Sequence, residues 1–169
     1  MNAQLDAEFR DFMRARWPVM VRLAYGLTGD QGHAEDVAQA AFARAYASWP
    51  RVRRSGNPDA YVRQIVVNEN RNRSRKRRVA ERLTGAPPEH GTADATSRYD
   101  ERSALVAALQ RLGPKQRAVI VLRYWLDLTE AEAAAALNCS AGTIKSQTSR
   151  ALAALRQSTE LVEGGFHER

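Results

Sequence analysis

Apolar residues recur along this chain almost everywhere with the helical period. β-branched alternation is sparse, and the glycines and prolines fall between periodic stretches rather than in hairpin pairs. Residues 9–28 put Phe12, Val19, Leu23 and Leu27 on one side of a first helix, which the run TGDQGH ends. A second helix is expected over about 33–48, with Val37, Ala41, Phe42, Ala45 and Trp49 on its apolar side. The run WPRVRRSGNP reads as a loop. Asn57 is a good cap and Pro58 a good first residue for a third helix. That helix carries Tyr61, Ile65, Val66 and Asn68, then continues into NRNRSRKRRVAERL.

The run TGAPPEHGTADATS, residues 84–97, is rich in Pro, Gly, Ser and Thr and nearly free of large apolar side chains, as a linker is. A fourth helix over about 98–112 closes on Gly113. Pro114 opens a fifth, with Val119, Ile120 and Leu122 inside. Thr129 and Glu132 have the spacing of a capping box for a short helix that ends at Leu137. Asn138 then stands where a left-handed residue is wanted, and Ser140 caps a last helix. The expected fold is all-α: two small helical domains, residues 1–83 and 98–160, joined by a flexible linker over 84–97 and followed by a short tail, 161–169. The C-terminal domain is expected to be a helix-turn-helix. No internal repeat is visible.

The last helix has two unlike faces. Ile144, Thr148, Ala151, Leu152 and Leu155 form a mostly apolar stripe, while Thr143, Ser146, Gln147 and Arg150 share another face, flanked by Lys145 and Ser149. That second face is donor-rich and has no acid. Following a three- to four-residue turn, such a helix can enter a DNA major groove. Lys145 and Arg150 suit guanine, and Gln147 suits adenine. An ordinary helical hairpin with a solvated face remains the alternative.

Charge sharpens this picture. The net charge is +7, and residues 51–82 hold eleven Arg or Lys against three acids, Asp59, Glu69 and Glu81. The excess is therefore confined to this segment, and it implies an anionic partner such as nucleic acid. The run RNRSRKRR continues a helix that begins with core residues, and the basic stretch 51–54 precedes it. The single cysteine, Cys139, excludes an internal disulfide framework and fits a reducing compartment. No secretory signal or membrane-spanning run is read, so a soluble cytoplasmic protein without membrane insertion is expected. His33, His90 and His167 lack metal-site spacing, and no nucleophile–base pair or Gly-rich phosphate loop appears. No metal, cofactor or enzymatic activity is expected.

Three stretches, taken in order, resemble the extracytoplasmic-function sigma factors of bacterial RNA polymerase. RLAYGLTGDQGHAEDVAQAAFARAY is similar to the segment that grips the polymerase clamp. NPDAYVRQIVVNENRNRSRKRR is similar to the promoter-melting segment, and LGPKQRAVIVLRYWLDLTEAEAAAALNCSAGTIKSQTSRALAALR to the domain that reads the minus-thirty-five element. The Gln147–Thr148 pair suggests the actinobacterial subgroup labelled SigE-like. The resemblance implies a factor that binds core polymerase, through the β′ clamp helices and the β flap, and directs promoter recognition, melting and initiation. It implies that Asp36 and Gln39, with Glu35 alongside, face the clamp. It implies minus-ten contacts by Arg51, Arg53, Arg54, Asn68, Arg71, Arg75 and Arg77. It implies minus-thirty-five contacts by Arg123, Lys145, Ser146, Gln147, Ser149 and Arg150. An anti-sigma partner stays open. Ala40 replaces the acid that commonly follows the clamp Gln, Asn138 the usual turn Gly, and Gln147 the usual Arg after the Lys-Ser pair. A stand-alone helix-turn-helix regulator, a nucleic-acid enzyme and an RNA-binding adaptor are the competing readings.

Overall fold

A computed structural model describes residues 2–85 and 99–164, all of whose regular elements are helical. In the N-terminal half, α1 spans Ala3–Thr28, α2 Gln31–Ala47, α3 Trp49–Arg54 and α4 Pro58–Thr84. The side chains of Asn2, Asp30 and Asn57 accept the orphan N–H groups at the starts of α1, α2 and α4. Gly29 ends α1 in the left-handed conformation.

Leu23, Leu27, Val37, Ala41, Phe42, Ala45 and Trp49 are buried as their periodicity predicts, together with Met20, Val62 and Val66. Phe12 and Val19 are only partly covered, against the edge of this core. Phe9 ties α1 to α2 and α3, with edge-on ring contacts to Tyr46 at 5.0 Å and Trp49 at 5.2 Å. Ion pairs add directionality: Arg16 to Asp59 and Arg53 to Glu8, each at 2.9 Å, and Arg44 to the buried Glu69.

The first six residues of the run read as a loop, Trp49–Arg54, are instead helix α3, and residues 55–57 are the connection to α4. Trp49 and Val52, one turn apart, are both buried, and Pro50 sits in the first turn where its missing N–H costs nothing. Three arginines in the same six residues masked that apolar pair.

The C-terminal half comprises α5 Tyr99–Arg111, α6 Pro114–Ile120, a π-helical turn Val121–Trp125, α7 Glu130–Leu137 and α8 Ala141–Gly164. Gly113 does not close α5; it precedes Pro114 as the extended residue that starts α6. The carbonyls at the end of α5 are taken by a side chain instead. Arg117 donates to those of Leu109, Gln110 and Leu112 at 2.9–3.0 Å. The expected fifth helix widens at its end, where the N–H of Leu126 reaches back five residues to Val121. α8 runs through Gly164, so the expected tail is helical over 161–164, and 165–169 lie outside the described residues. The expected linker also lies outside them from residue 86 onward; Thr84 is the last residue of α4 and Gly85 its left-handed cap.

The halves touch along a seam. α1 meets α5 and the π turn, and α4 meets α7. The indole N–H of Trp125 donates to the carbonyl of Arg22 at 3.0 Å, and the Arg22 guanidinium lies 5.6 Å from the indole ring centroid. Arg117 and Gln110 both donate to the carbonyl of Leu27, at 3.2 and 3.5 Å. Gly26 lets the helix approach: a Cβ there would lie 2.8 Å from Val121 Cγ1.

Candidate nucleic-acid interface

The helix-turn-helix is built by local hydrogen bonds. Thr129 Oγ1 accepts from the N–H of Glu132 at 3.1 Å, and Glu132 returns the bond to the N–H of Thr129 at 2.8 Å. The Thr129 N–H, and then its hydroxyl, hold the Glu132 carboxyl below its ordinary pKa. Asn138 adopts the left-handed conformation, φ 51° and ψ 51°, and its N–H reaches back into the last turn of α7. Ser140 Oγ then accepts from the N–H of Thr143 at 3.1 Å, which starts α8.

Ile144 and Ala151 are fully buried, which fixes the rotation of α8 and turns Thr143, Lys145, Ser146, Ser149 and Arg150 to solvent. Gln147 is partly covered. Ser146 donates to the carbonyl of Thr143, one turn back. The face lacks acids of its own, but Lys145 lies 3.8 Å from Glu130 of α7. Arg150 has no ion pair among the described residues. Arg123 is held apart from this face: half-buried, it donates to the carbonyl of Leu128 and braces the loop where Asp127 takes φ 54°.

The other candidate surface is α4. Its buried residues end at Glu69, and beyond them most side chains are exposed. Asn68, Arg71, Arg75 and Arg77 are exposed, but not on one face. At about 100° per residue, Arg71, Arg75, Arg78 and Arg82 form one stripe, while Arg73, Lys76 and Arg77 lie on the opposite side. Arg77 is therefore separated from Arg71 and Arg75, and sits 3.9 Å from Glu81. The basic stretch before α4 is also partly engaged. Arg53 pairs with Glu8, Arg54 donates to the carbonyl of Pro50 at 3.0 Å, and Arg51 is exposed.

Glu35, Asp36 and Gln39 are exposed on α2. Glu35 accepts from Gln31 at 2.9 Å, and Asp36 lies 3.6 Å from Arg73 of α4. Gln39 borders an apolar groove between α1 and α2, about 380 Å³, lined also by Met13, Trp17 and Tyr46. Arg22, Gly26, Arg117 and Trp125 were not singled out from sequence. Their contacts are long-range, and none belongs to a local pattern.

Residues 12–79 match the family description "Sigma-70 region 2", and residues 102–155 match "Sigma-70, region 4". The chain is 40% identical over 150 residues to the RNA polymerase sigma-E factor of Streptomyces coelicolor, covering 89% of this chain and 85% of that protein. It is 30% identical over 143 residues to the ECF RNA polymerase sigma factor SigL of Mycobacterium tuberculosis, covering 82% of this chain and 81% of that one. Its fold resembles that of the sigma factor RpoE of Bartonella quintana, solved in complex with the anti-sigma factor NepR. There the TM-score is 0.79 and the identity 26%, over 90% of this chain and 97% of that one.

Proposed function

This chain belongs to the sigma-70 family, and on that premise we propose how its surfaces divide the work of a sigma factor. The protein binds core RNA polymerase and directs promoter recognition and transcription initiation. Residues 1–83 form the polymerase-clamp and minus-ten unit on this reading, and 98–160 the minus-thirty-five unit. Glu35, Asp36 and Gln39 meet the clamp, where the adjoining apolar groove accepts a side chain of the partner. Arg71 and Arg75 on α4, with Asn68 and Arg51, track the melted strand. Arg53, Arg54 and Arg77 join them only if they leave their present partners. Lys145, Ser146, Gln147, Ser149 and Arg150 lie against the upstream duplex, while Arg123 acts by bracing the loop beneath them.

The observation that carries this reading is the exposed, acid-free face of α8 behind a capped, left-handed turn, on the same chain as the basic half of α4. Both act by binding. Unstacking a base costs about a few kcal/mol, offset by contacts to the captured base. The protein is accordingly not an enzyme, and it works in the cytoplasm where polymerase is. No helix among the described residues is long and apolar enough to cross a membrane. An anti-sigma factor is a further partner on this reading, by likeness to the RpoE complex.

The seam bears on the mechanism. Elements named minus-ten and minus-thirty-five lie about 25 base pairs apart, roughly 85 Å at 3.4 Å per pair. A compact chain of 169 residues has a radius of gyration of only about 15 Å. The halves must part before both elements can be held. The test is reconstitution with core polymerase. Asp36→Arg with Gln39→Ala should weaken core binding about tenfold or more and leave helix content unchanged. Unaltered core affinity in that variant, measured by titration with labelled protein, would refute the clamp assignment.

A further inference from the structure

The second stripe of α4 is turned into the seam. There Arg73, Lys76 and Arg77 join Arg117 and His33 around a cleft of about 400 Å³, a size suited to a small ligand. Its walls come from both halves: the end of α1, the start of α2 and α4 on one side, Gln110 of α5 and Arg117 of α6 on the other. Among the described residues no carboxylate lines it.

The nearest acids stand outside and pair loosely. Asp36 is 3.6 Å from Arg73, Glu81 is 3.9 Å from Arg77, and Asp30 is 3.7 Å from His33. Pairs this long, at partly exposed side chains, are weak. Lys76 has no ion pair among the described residues. Arg117 gives four of its five N–H groups to backbone carbonyls, which satisfies its geometry and leaves its charge. Burial first, and then the positive field of Arg77, depress the Arg117 pKa, so Arg77 and Arg117 repel each other across the cleft. Arg117 has a structural reason to be here. The gathering of Arg73, Lys76 and Arg77 opposite it has none in packing, since all three are exposed.

We propose that this seam cleft binds a compact, multiply charged phosphate anion, a condensed phosphate or the polyphosphate of a nucleotide, and that the anion holds the two halves together. Guanidinium forks match phosphate oxygens, and Asn70 and Ser74 in the same wall add neutral donors. Because the walls belong to two domains, the anion binds the closed arrangement and shifts the population towards it. Given the function proposed above, it opposes promoter engagement, but its binding can be measured without polymerase.

The experiment is calorimetric titration of the full-length chain with inorganic tripolyphosphate at fixed ionic strength, because charge screening moves every such affinity. One equivalent should bind, at least about tenfold more tightly than orthophosphate, by the gain of one or more charge-assisted bonds. Arg73→Ala with Lys76→Ala should weaken it about tenfold or more. Arg71→Ala with Arg75→Ala removes equal charge from the opposite face of the same helix and should change it less than about threefold. Gly26→Leu, confirmed folded by circular dichroism, keeps every cation but forces the seam apart and should also lose about tenfold. Adenosine and guanosine triphosphates separate the sources: tighter binding than tripolyphosphate marks a nucleotide, equal or weaker binding a condensed phosphate. Equal losses from the two charge variants, or undiminished binding to Gly26→Leu, would reduce the effect to general polyanion attraction and overturn the proposal. Seam-dependent binding of a pentaglutamate peptide in preference to tripolyphosphate would overturn it too, by assigning the cleft to a protein partner.

Discussion

Replacing Gly26 by Ala should open the chain without unfolding it. Within α1 the change favours the helix, because Ala exceeds Gly by about 0.8–1.0 kcal/mol in helix propensity. Across the seam it does the reverse. The added Cβ would lie 2.8 Å from Val121 Cγ1 and 3.0 Å from Cγ2, inside the roughly 3.5–4.0 Å of a good carbon contact. Both atoms belong to one fully buried, β-branched side chain that cannot swing aside. Overpacking of this kind costs about 1–3 kcal/mol. That cost falls on the closed state alone, so the open-to-closed ratio should rise about 5- to 150-fold. Small-angle scattering reads it directly. A closed chain should give a radius of gyration near 15 Å, and two half-size globules with centres about 35 Å apart should give roughly 21 Å. Circular dichroism should show undiminished helix. A lower melting temperature with an unchanged radius would place the cost inside the N-terminal core and refute the reasoning.

Three further outcomes follow from the interface. At Asn138, Gly should be tolerated, whereas Ala should cost about 1–2 kcal/mol in urea denaturation, because φ is 51° there; equal stability of the two variants would argue against a left-handed turn. In the polymerase holoenzyme, Arg150→Ala should cost about 1–3 kcal/mol on the best promoter and relax preference at one or two upstream positions, while Arg71→Ala with Arg75→Ala should weaken all promoters alike and flatten the salt slope by about one per lost phosphate contact. The reverse pattern would exchange the two roles. The Glu132 pKa is lowered on folding, so its contribution is complete above the ordinary carboxylate pKa and fades as pH falls through the lowered value. The stability gap between wild type and Glu132→Gln, followed from pH 7 downwards, should close on acidification, and a gap constant to low pH would remove Glu132 from the cap.

What sequence conveyed most faithfully was whatever is decided within one turn of chain. Asn57 with Ala60, Thr129 with Glu132, and Ser140 with Thr143 are local hydrogen-bonding devices, and each caps a helix where the sequence places one. The exposed face of α8 was legible for the same reason, since Ile144 and Ala151 on the other side fix its rotation. α3 was misread because three arginines and a proline outweighed the single apolar pair Trp49 and Val52. The α4 cations could be counted, but periodicity gives only their relative angles. Which stripe meets solvent and which meets the seam depends on helices far along the chain. The bond from Arg117 to Leu27 spans 90 residues, and the one from Trp125 to Arg22 spans 103. No motif announces such partners.

The π turn at Val121–Trp125 has a consequence for how this chain can change. One extra residue in a helix advances everything beyond it by about 100° in rotational phase. Here that phase aims the indole at the Arg22 carbonyl. Most substitutions in the turn would leave the phase alone. Loss of a single residue would restore a regular α-helix and swing the ring off α1, yet the caps that build α7 and α8 would survive. Length, more than identity, in these five positions governs whether the halves stay coupled, so an insertion or deletion could free the DNA-reading unit in one step.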